Sequence, residues 1–243
     1  MRYAVISDIH GNVDALQAVL KDIERRAVDS IICLGDIVGY YPDPEACVKL
    51  VNGNVSHAVA GNHDYAAIGK IDTQNFTYYA FAAMEWTKRN LSARAKEYLA
   101  SLSLAGEIED MYYTHSSPSN PQDFTYVFPD SEVAIFEAFN SLDHRLNFIG
   151  HTHWPSIMLQ DQDKIMLYTD HCVEIAQKYY YLINVGSVGQ PRNFDPRSCY
   201  AIYDTMASEV TLIHVEYDFK VTQKKVIENN LPAFLADRLQ KGR

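Results

Sequence analysis

The chain uses one device three times near its start: a short run of branched apolar residues breaks at a polar turn and hands over a carboxylate or an imidazole. Ile31-Ile32-Cys33-Leu34 runs into Gly35-Asp36-Ile37-Val38-Gly39, and Tyr3-Ala4-Val5-Ile6-Ser7 runs into Asp8-Ile9-His10-Gly11-Asn12. Val55 to Ala60 runs into Gly61-Asn62-His63-Asp64. Such runs read as buried strands, and the exits of strands are where α/β proteins place their chemistry. Between the first two, Val13, Leu16, Val19, Leu20 and Ile23 mark one helical face, with Asn12 placed to cap it. Pro44 opens a second helix carrying Ala46, Val48, Leu50 and Val51. Two right-handed βαβ units follow, which set the Asp8, Asp36 and Asn62 loops side by side at one sheet edge.

Further along, Asp72 to Ser103 turns helical and aromatic, with Phe76, Tyr78, Tyr79, Phe81, Met84 and Trp86. Two amphipathic helices packing on the sheet explain this pattern, and some of the aromatics are candidates to rim a cleft. Met111 to Thr114 is a short strand ending at His115, and Ser131 is placed to cap a helix through Val133, Ile135, Phe136 and Phe139. Leu146 to Ile149 leads into Gly150-His151-Thr152-His153. The remainder shows β patterns at Ile165 to Tyr168, Tyr179 to Val185, Cys199 to Tyr203 and Glu209 to Tyr217, interrupted by the Gly186 to Arg192 loop. Thr222 to Leu239 reads as two short helices broken by Pro232. The expected fold class is α/β: two mixed β-sheets packed face to face and flanked by helices, a four-layer α-β-β-α sandwich, in a single domain over 1–243.

A formal charge of −10 at pH 7 argues against sequence-independent nucleic-acid or anionic-membrane binding, because both rest on clustered Lys and Arg. The same balance does not exclude an anionic substrate, since bound cations reverse the sign locally. Cys33, Cys47, Cys172 and Cys199 form no CxxC pair, so neither a zinc ribbon nor a disulfide framework is indicated. With no charged-then-apolar leader and no long apolar run, the sequence predicts a cytoplasmic protein.

Residues at strand exits are Asp8, His10, Asp36, Asn62, His63, His115, His151 and His153. Carboxylate, imidazole and amide donors without thiolate suit Mn foremost, with Fe, Zn, Ni or Mg as alternatives. Seven ligands exceed the needs of one ion; two divalent ions sharing Asp36 fit the number. His57 lies inside an apolar strand and reads as a core or edge histidine, while His144, His171 and His214 have no ligand neighbour in sequence and read as structural or solvated. Arg192 is a candidate substrate contact, because a guanidinium matches phosphate geometry.

The ordered set Asp-x-His, Gly-Asp, Gly-Asn-His-Asp, a lone His and Gly-His-x-His resembles that of the calcineurin-like metallophosphoesterase superfamily, and in particular its small bacterial and archaeal phosphodiesterase-like members, related to diadenosine tetraphosphate hydrolases. The resemblance spans residues 3 to 153. It implies that Asp8, His10, Asp36 and His153 hold one metal and that Asp36, Asn62, His115 and His151 hold the other. It also implies catalytic work for His63, with Asp64 orienting it. The function so implied is hydrolysis of a small, nucleotide-like phosphate ester, mono- or diester, by attack of a metal-bridging hydroxide.

Three readings compete with this one. Dedicated protein phosphatases of the superfamily usually continue Gly-Asp with an Asp-Arg pair, which Gly35-Asp36-Ile37-Val38-Gly39-Tyr40 lacks. Catalytically silent scaffolds of this fold typically lose the active-site histidine or ligands, whereas His63 and every ligand are present here. A two-metal hydrolase of another bond, such as an amide, is separated only by the Gly-Asn-His-Asp element. The expected partner is a small phosphorylated molecule, with no membrane and no stable nucleic-acid association; homo-oligomerisation is left open.

Overall fold

The structure is a computed structural model that describes residues 1–162, 164–168 and 170–243. The first half alternates strand and helix: β1 (Arg2–Ile6), α1 (Val13–Arg25), β2 (Ser30–Cys33), α2 (Pro44–Asn54), β3 (His57–Ala58) and α3 (Asn62–Ala67). Two helices, α4 (Tyr78–Asn90) and α5 (Ala93–Ser101), precede β4 (Ala105–Ile108), β5 (Met111–Thr114), α6 (Glu132–Phe139) and β6 (Leu146–Ile149). Then come β7 (Ser156–Asp161), β8 (Lys164–Tyr168), β9 (Cys172–Glu174), β10 (Tyr180–Asn184), β11 (Ser198–Asp204) and β12 (Glu209–Val215). The chain closes with α7 (Phe219–Glu228) and α8 (Ala233–Lys241).

Among the described residues the strands form two six-stranded sheets, ordered β3-β2-β1-β11-β12-β9 and β4-β5-β6-β10-β7-β8. Both are mixed: β1, β2 and β3 pair in parallel while β11 runs antiparallel to β1, and β5, β6 and β10 pair in parallel while β7 runs antiparallel to β10. The period of two along β1 divides its side chains between two cores. Tyr3 and Val5 join Ile32, Leu34, Phe148 and Ile183 between the sheets, while Ala4 and Ile6 join Leu16, Val48 and Leu99 beneath the helices. On the far side of the second sheet, Ile135 and Phe139 of α6 cover Met158 and Leu182. Layers of helix, sheet, sheet and helix result, as the patterning predicts.

Several local expectations hold in detail. Asn12 caps α1 by accepting from the Ala15 N–H, and Pro44 opens α2. Others shift. The strand expected over Val55 to Ala60 narrows to His57–Ala58 at the sheet edge, where His57 is exposed. Ser131 stands at the start of α6 without a side-chain capping bond, and Asn62 begins a short helix instead of lying in a loop. Among the described residues no helix is long and apolar enough to cross a membrane.

Candidate metal centre

The parallel strands of both sheets end on the same side, so the exits of β1, β2, β3, β5 and β6 converge. Asp8, His10, Asp36, His151 and His153 hold φ between +49° and +67°. For side chains of this size the left-handed region costs about 1 kcal/mol or more per residue and persists only where surrounding bonds over-determine it. Those bonds are present. Asp8 N–H donates to Gly35 O (3.1 Å), His10 N–H to Asp36 O (2.8 Å) and Gly150 N–H to His115 O (2.9 Å), so the loops hold one another. Glycine is required at two approaches: a Cβ on Gly61 would strike the Asp36 carboxylate, and one on Gly150 would strike Ser7 and Asp8.

Each aspartate is fixed by one oxygen and presents the other. Asp36 Oδ1 accepts the His63 main-chain N–H at 2.8 Å, leaving Oδ2 at 3.6 Å from His10 Nε2 and 3.4 Å from His115 Nε2. Asp8 Oδ2 accepts the His151 N–H at 3.0 Å, leaving Oδ1 3.2 Å from His153 Nε2 and 3.7 Å from His10 Nε2. Asp8 Oδ1 and Asn62 Oδ1 are buried and have no hydrogen-bond partner. A single Asp36 oxygen thus faces two groups of donors, Asp8 with His10 and His153 on one side and His115 with His151 on the other.

The imidazoles carry the strongest sign. His10 Nδ1 donates to Val38 O (3.3 Å), His153 Nδ1 to Gln190 O (2.6 Å), His115 Nδ1 to Leu34 O (2.9 Å) and His151 Nε2 to Phe124 O (2.8 Å). A carbonyl only accepts, so each outward nitrogen carries the proton and each inward nitrogen presents a lone pair. Yet His10 Nε2 lies 3.1 Å from His153 Nε2, and His115 Nε2 lies 3.0 Å from His151 Nδ1. Burial pushes His10, His151 and His153 below the usual imidazole range, which keeps them neutral. Two buried lone pairs turned toward each other need a cation between them. In His115, burial pulls down but the Asp36 charge prevails and draws the group up to about 9, so a proton takes that place when nothing else does. The donors fit divalent ions of the hard-to-borderline kind.

His63 is buried against the rings of His10, Tyr40 and Phe76, at 4.8, 4.6 and 4.8 Å between centroids. Its Nδ1 has no partner, and burial lowers its pKa to about 4. With His10 and Asp36 it forms a third group close enough to hold an ion, although the resemblance leaves it off the metals. Asp64 does not orient it. The Asp64 carboxylate accepts the amides of Ile37 (2.9 Å), Val38 (3.2 Å) and Gly61 (3.0 Å), tying the start of α3 to the Asp36 loop. The reason is local: as the third residue of a helix, its side chain folds back on the helix start. Burial and Asp36 push Asp64 up to about 7, against the pull of those amides.

Arg192 lies at the rim, donating to Gln190 Oε1 and to the Tyr40 hydroxyl. Of the aromatic helical segment, Phe76 reaches His63, whereas Tyr78 is 76% exposed. Tyr126, not singled out in the sequence, stacks on His151 at 3.9 Å. The Gly186 to Arg192 loop does more than its sequence suggests: Ser187 Oγ and Gly189 N–H donate to Asp8 O, and Gln190 O accepts the hydrogen bond from His153 Nδ1. Asn184 Nδ2 donates to Gly150 O (2.6 Å) and Thr152 Oγ1 (2.9 Å), steadying the His151 loop.

Two mixed sheets with a buried Asp/His cluster at their shared edge define the metallophosphoesterase class. Residues 1–208 match the calcineurin-like phosphoesterase superfamily domain, and the chain belongs to that superfamily. An uncharacterised protein of Methanocaldococcus jannaschii is 38% identical over 244 residues, covering 99% of this chain and 98% of its own length. The crystal structure of a metallophosphoesterase from Sphaerobacter thermophilus superposes with a TM-score of 0.87 at 38% identity, over 100% of this chain and 99% of that one. A hypothetical protein of Pyrococcus horikoshii OT3 shares the fold, with a TM-score of 0.80 at 21% identity and coverage of 100% and 98%. Family, fold and buried cluster together support a hydrolase of phosphoric esters.

Proposed function

We propose that the chain is a dinuclear-metal phosphoesterase acting on a small phosphorylated molecule. The observation that carries this reading is the set of inward imidazole lone pairs, closed to about van der Waals contact around Asp36 Oδ2 and the orphaned Asp8 Oδ1. Asp8, His10, Asp36 and His153 would hold one ion, and Asp36, Asn62, His115 and His151 the other, with Mn the leading candidate. Divalent ions held there would supply Lewis-acid chemistry, lowering the pKa of bound water and stabilising phosphoryl oxygens.

The protein's own contribution starts with charge. Asp8 and Asp36 bring −2 against +4, and neutral imidazoles and Asn62 add none, so the site stays attractive to a phosphate within an acidic protein. Asp36 fixes the spacing, because both donor groups must meet one oxygen. Neutral and with its Nδ1 unpartnered, His63 would donate its own ring proton, either to stabilise the developing oxyanion or to protonate the leaving oxygen.

The test is hydrolysis of bis-p-nitrophenyl phosphate and p-nitrophenyl phosphate by Mn-loaded protein. Turnover of at least one is expected, and His63→Ala should lower it by about 10²- to 10⁴-fold with metal content kept. Absence of turnover with both, at full metal occupancy, rules the proposal out.

A further inference from the structure

An edge strand presents main-chain groups that another chain can pair with, so folds keep their sheet edges short, charged or covered. Three of the four edges here follow that rule. β3 spans two residues and β9 three, and β4 carries Gly106 and the exposed Glu107 with no large exposed apolar side chain. The fourth, β8, does not. It runs Lys164-Ile165-Met166-Leu167-Tyr168 at the end of the second sheet, with Met166 42%, Leu167 52% and Tyr168 41% exposed. Among the described residues only β7 pairs with it, through Ile157 to Asp161, and its outer N–H and C=O groups meet no other segment.

The face beside this edge is apolar as well. Ile135 and Phe139 of α6 cover Met158 and Leu182, but Val133 and Phe136, on its flank toward β8, are left 71% and 62% exposed. Between that flank and the strand runs a groove of about 690 Å³ lined by Val133, Phe136, Met158, Ile165 and Leu167, with Glu132 and Glu137 also bordering it. A second groove of about 540 Å³ adjoins the first, sharing Pro129 and Leu167 and reaching Phe128 and Trp154. Trp154 in turn meets Phe194 edge-on at 6.2 Å between centroids. Large side chains offer roughly 150–250 Å² each, so the exposed fractions of Phe128, Val133, Phe136, Trp154, Leu167 and Phe194 come to about 650 Å² of apolar surface. The largest apolar patch of an ordinary monomer is about 300–600 Å². Each partner in a standard interface contributes about 800 Å², and Met166, Tyr168 and the polar rim supply the difference.

We infer that α6 and β8 form a twofold interface with a second copy of this chain: β8 pairs antiparallel with its counterpart, joining the two six-stranded sheets that carry it, and Phe136 of each copy enters the groove of the other. Two observations select a second copy as the occupant. The patch carries both a projecting side chain and a groove, which is the condition for a self-complementary interface. The strand can also face itself. With Met166 on the axis, Ile165 lies opposite Leu167 and Lys164 opposite Tyr168, so no like charges are opposed across the strands. Trp154 follows His153 directly, so the interface abuts one loop of the metal centre.

The test is sedimentation velocity of the full chain from micromolar to near-millimolar concentration, in reducing buffer so that the exposed Cys172 cannot link copies. Wild type should reach twice the mass of one chain, and added salt, which screens Glu132 and Glu137, should tighten that dimer. Phe136→Glu and Leu167→Glu should each weaken it at least tenfold, whereas Met206→Glu, at a 92% exposed position in the β11–β12 turn, should leave it unchanged. The two interface substitutions lie on separate elements, so if one variant fails to fold the other still decides. Hydrogen exchange of the β8 amides should slow as the dimer forms. A wild type that stays monomeric throughout overturns the inference and leaves the patch to a different partner. A dimer that keeps its affinity in both variants, or whose β8 amides exchange as fast as in the monomer, overturns it too.

Discussion

Replacing Asp36 by Asn is the sharpest probe of the centre because shape is preserved while one oxygen changes. The amide oxygen remains able to accept the His63 N–H, which Asp36 Oδ1 now receives at 2.8 Å. An NH₂ group then occupies the Oδ2 position, 3.6 Å from His10 Nε2 and 3.4 Å from His115 Nε2, and no longer serves either ion. A ligand at 100 times its Kd stabilises the folded state by about 2.7 kcal/mol per site. Two sites give about 5 kcal/mol, and at this chain length each kcal/mol raises Tm by about 2–4 °C, so saturation should lift Tm by about 10–20 °C over the chelated state. Asp36→Asn, which weakens both sites together, should keep less than a third of that gain and fall well short of two bound equivalents. The assay is thermal unfolding of chelated protein with and without Mn, with bound metal measured in parallel. A wild-type Tm indifferent to metal, or a variant that still binds two equivalents with the full gain, would refute the shared-oxygen geometry.

Two further outcomes follow from the same site. Gly61→Ala would drive a Cβ into the Asp36 carboxylate, so metal content and activity should both fall at least tenfold, read by metal analysis after gel filtration. In chelated protein, His63 (about 4) and His10, His151 and His153, which burial also lowers, bind fewer protons than in the unfolded chain. Each should make stability rise by up to about 1.4 kcal/mol per pH unit as pH climbs toward 6.5, from about 4 in the case of His63. His115 (about 9) and Asp64 (about 7) oppose this by binding more protons than when unfolded, and the His115 contribution is lost as pH rises through 9. Denaturant unfolding of the chelated protein should therefore show stability climbing between pH 5 and 6.5 and declining toward pH 9; a flat profile would contradict the buried, neutral histidines.

Sequence alone fixed the order of donors, because an apolar run broken by a polar turn is a local signal and each metal-site motif sits at such a break. It also indicated two sheets with helices outside, since period-two and helical patterns decide which faces must be covered. Strands β4, β7 and β9 escaped it: β7 follows His153 after only Trp154 and Pro155, and β9 spans three residues, so neither shows a long pattern between turns. What the sequence could not carry was anything resting on main-chain atoms or distant segments. The carbonyls of Leu34, Phe124, Val38 and Gln190 set the proton positions of four histidines, yet a carbonyl has no residue type. Asp64 looks like a catalytic neighbour of His63 until the helix start turns it toward three amides. Arg238 meets Tyr40 only because α8 packs across the site, a contact made by tertiary packing of apolar residues far from either motif. Residue types declare which chemistry is available; only the folded chain, by closing distances between remote segments, decides which atoms share it.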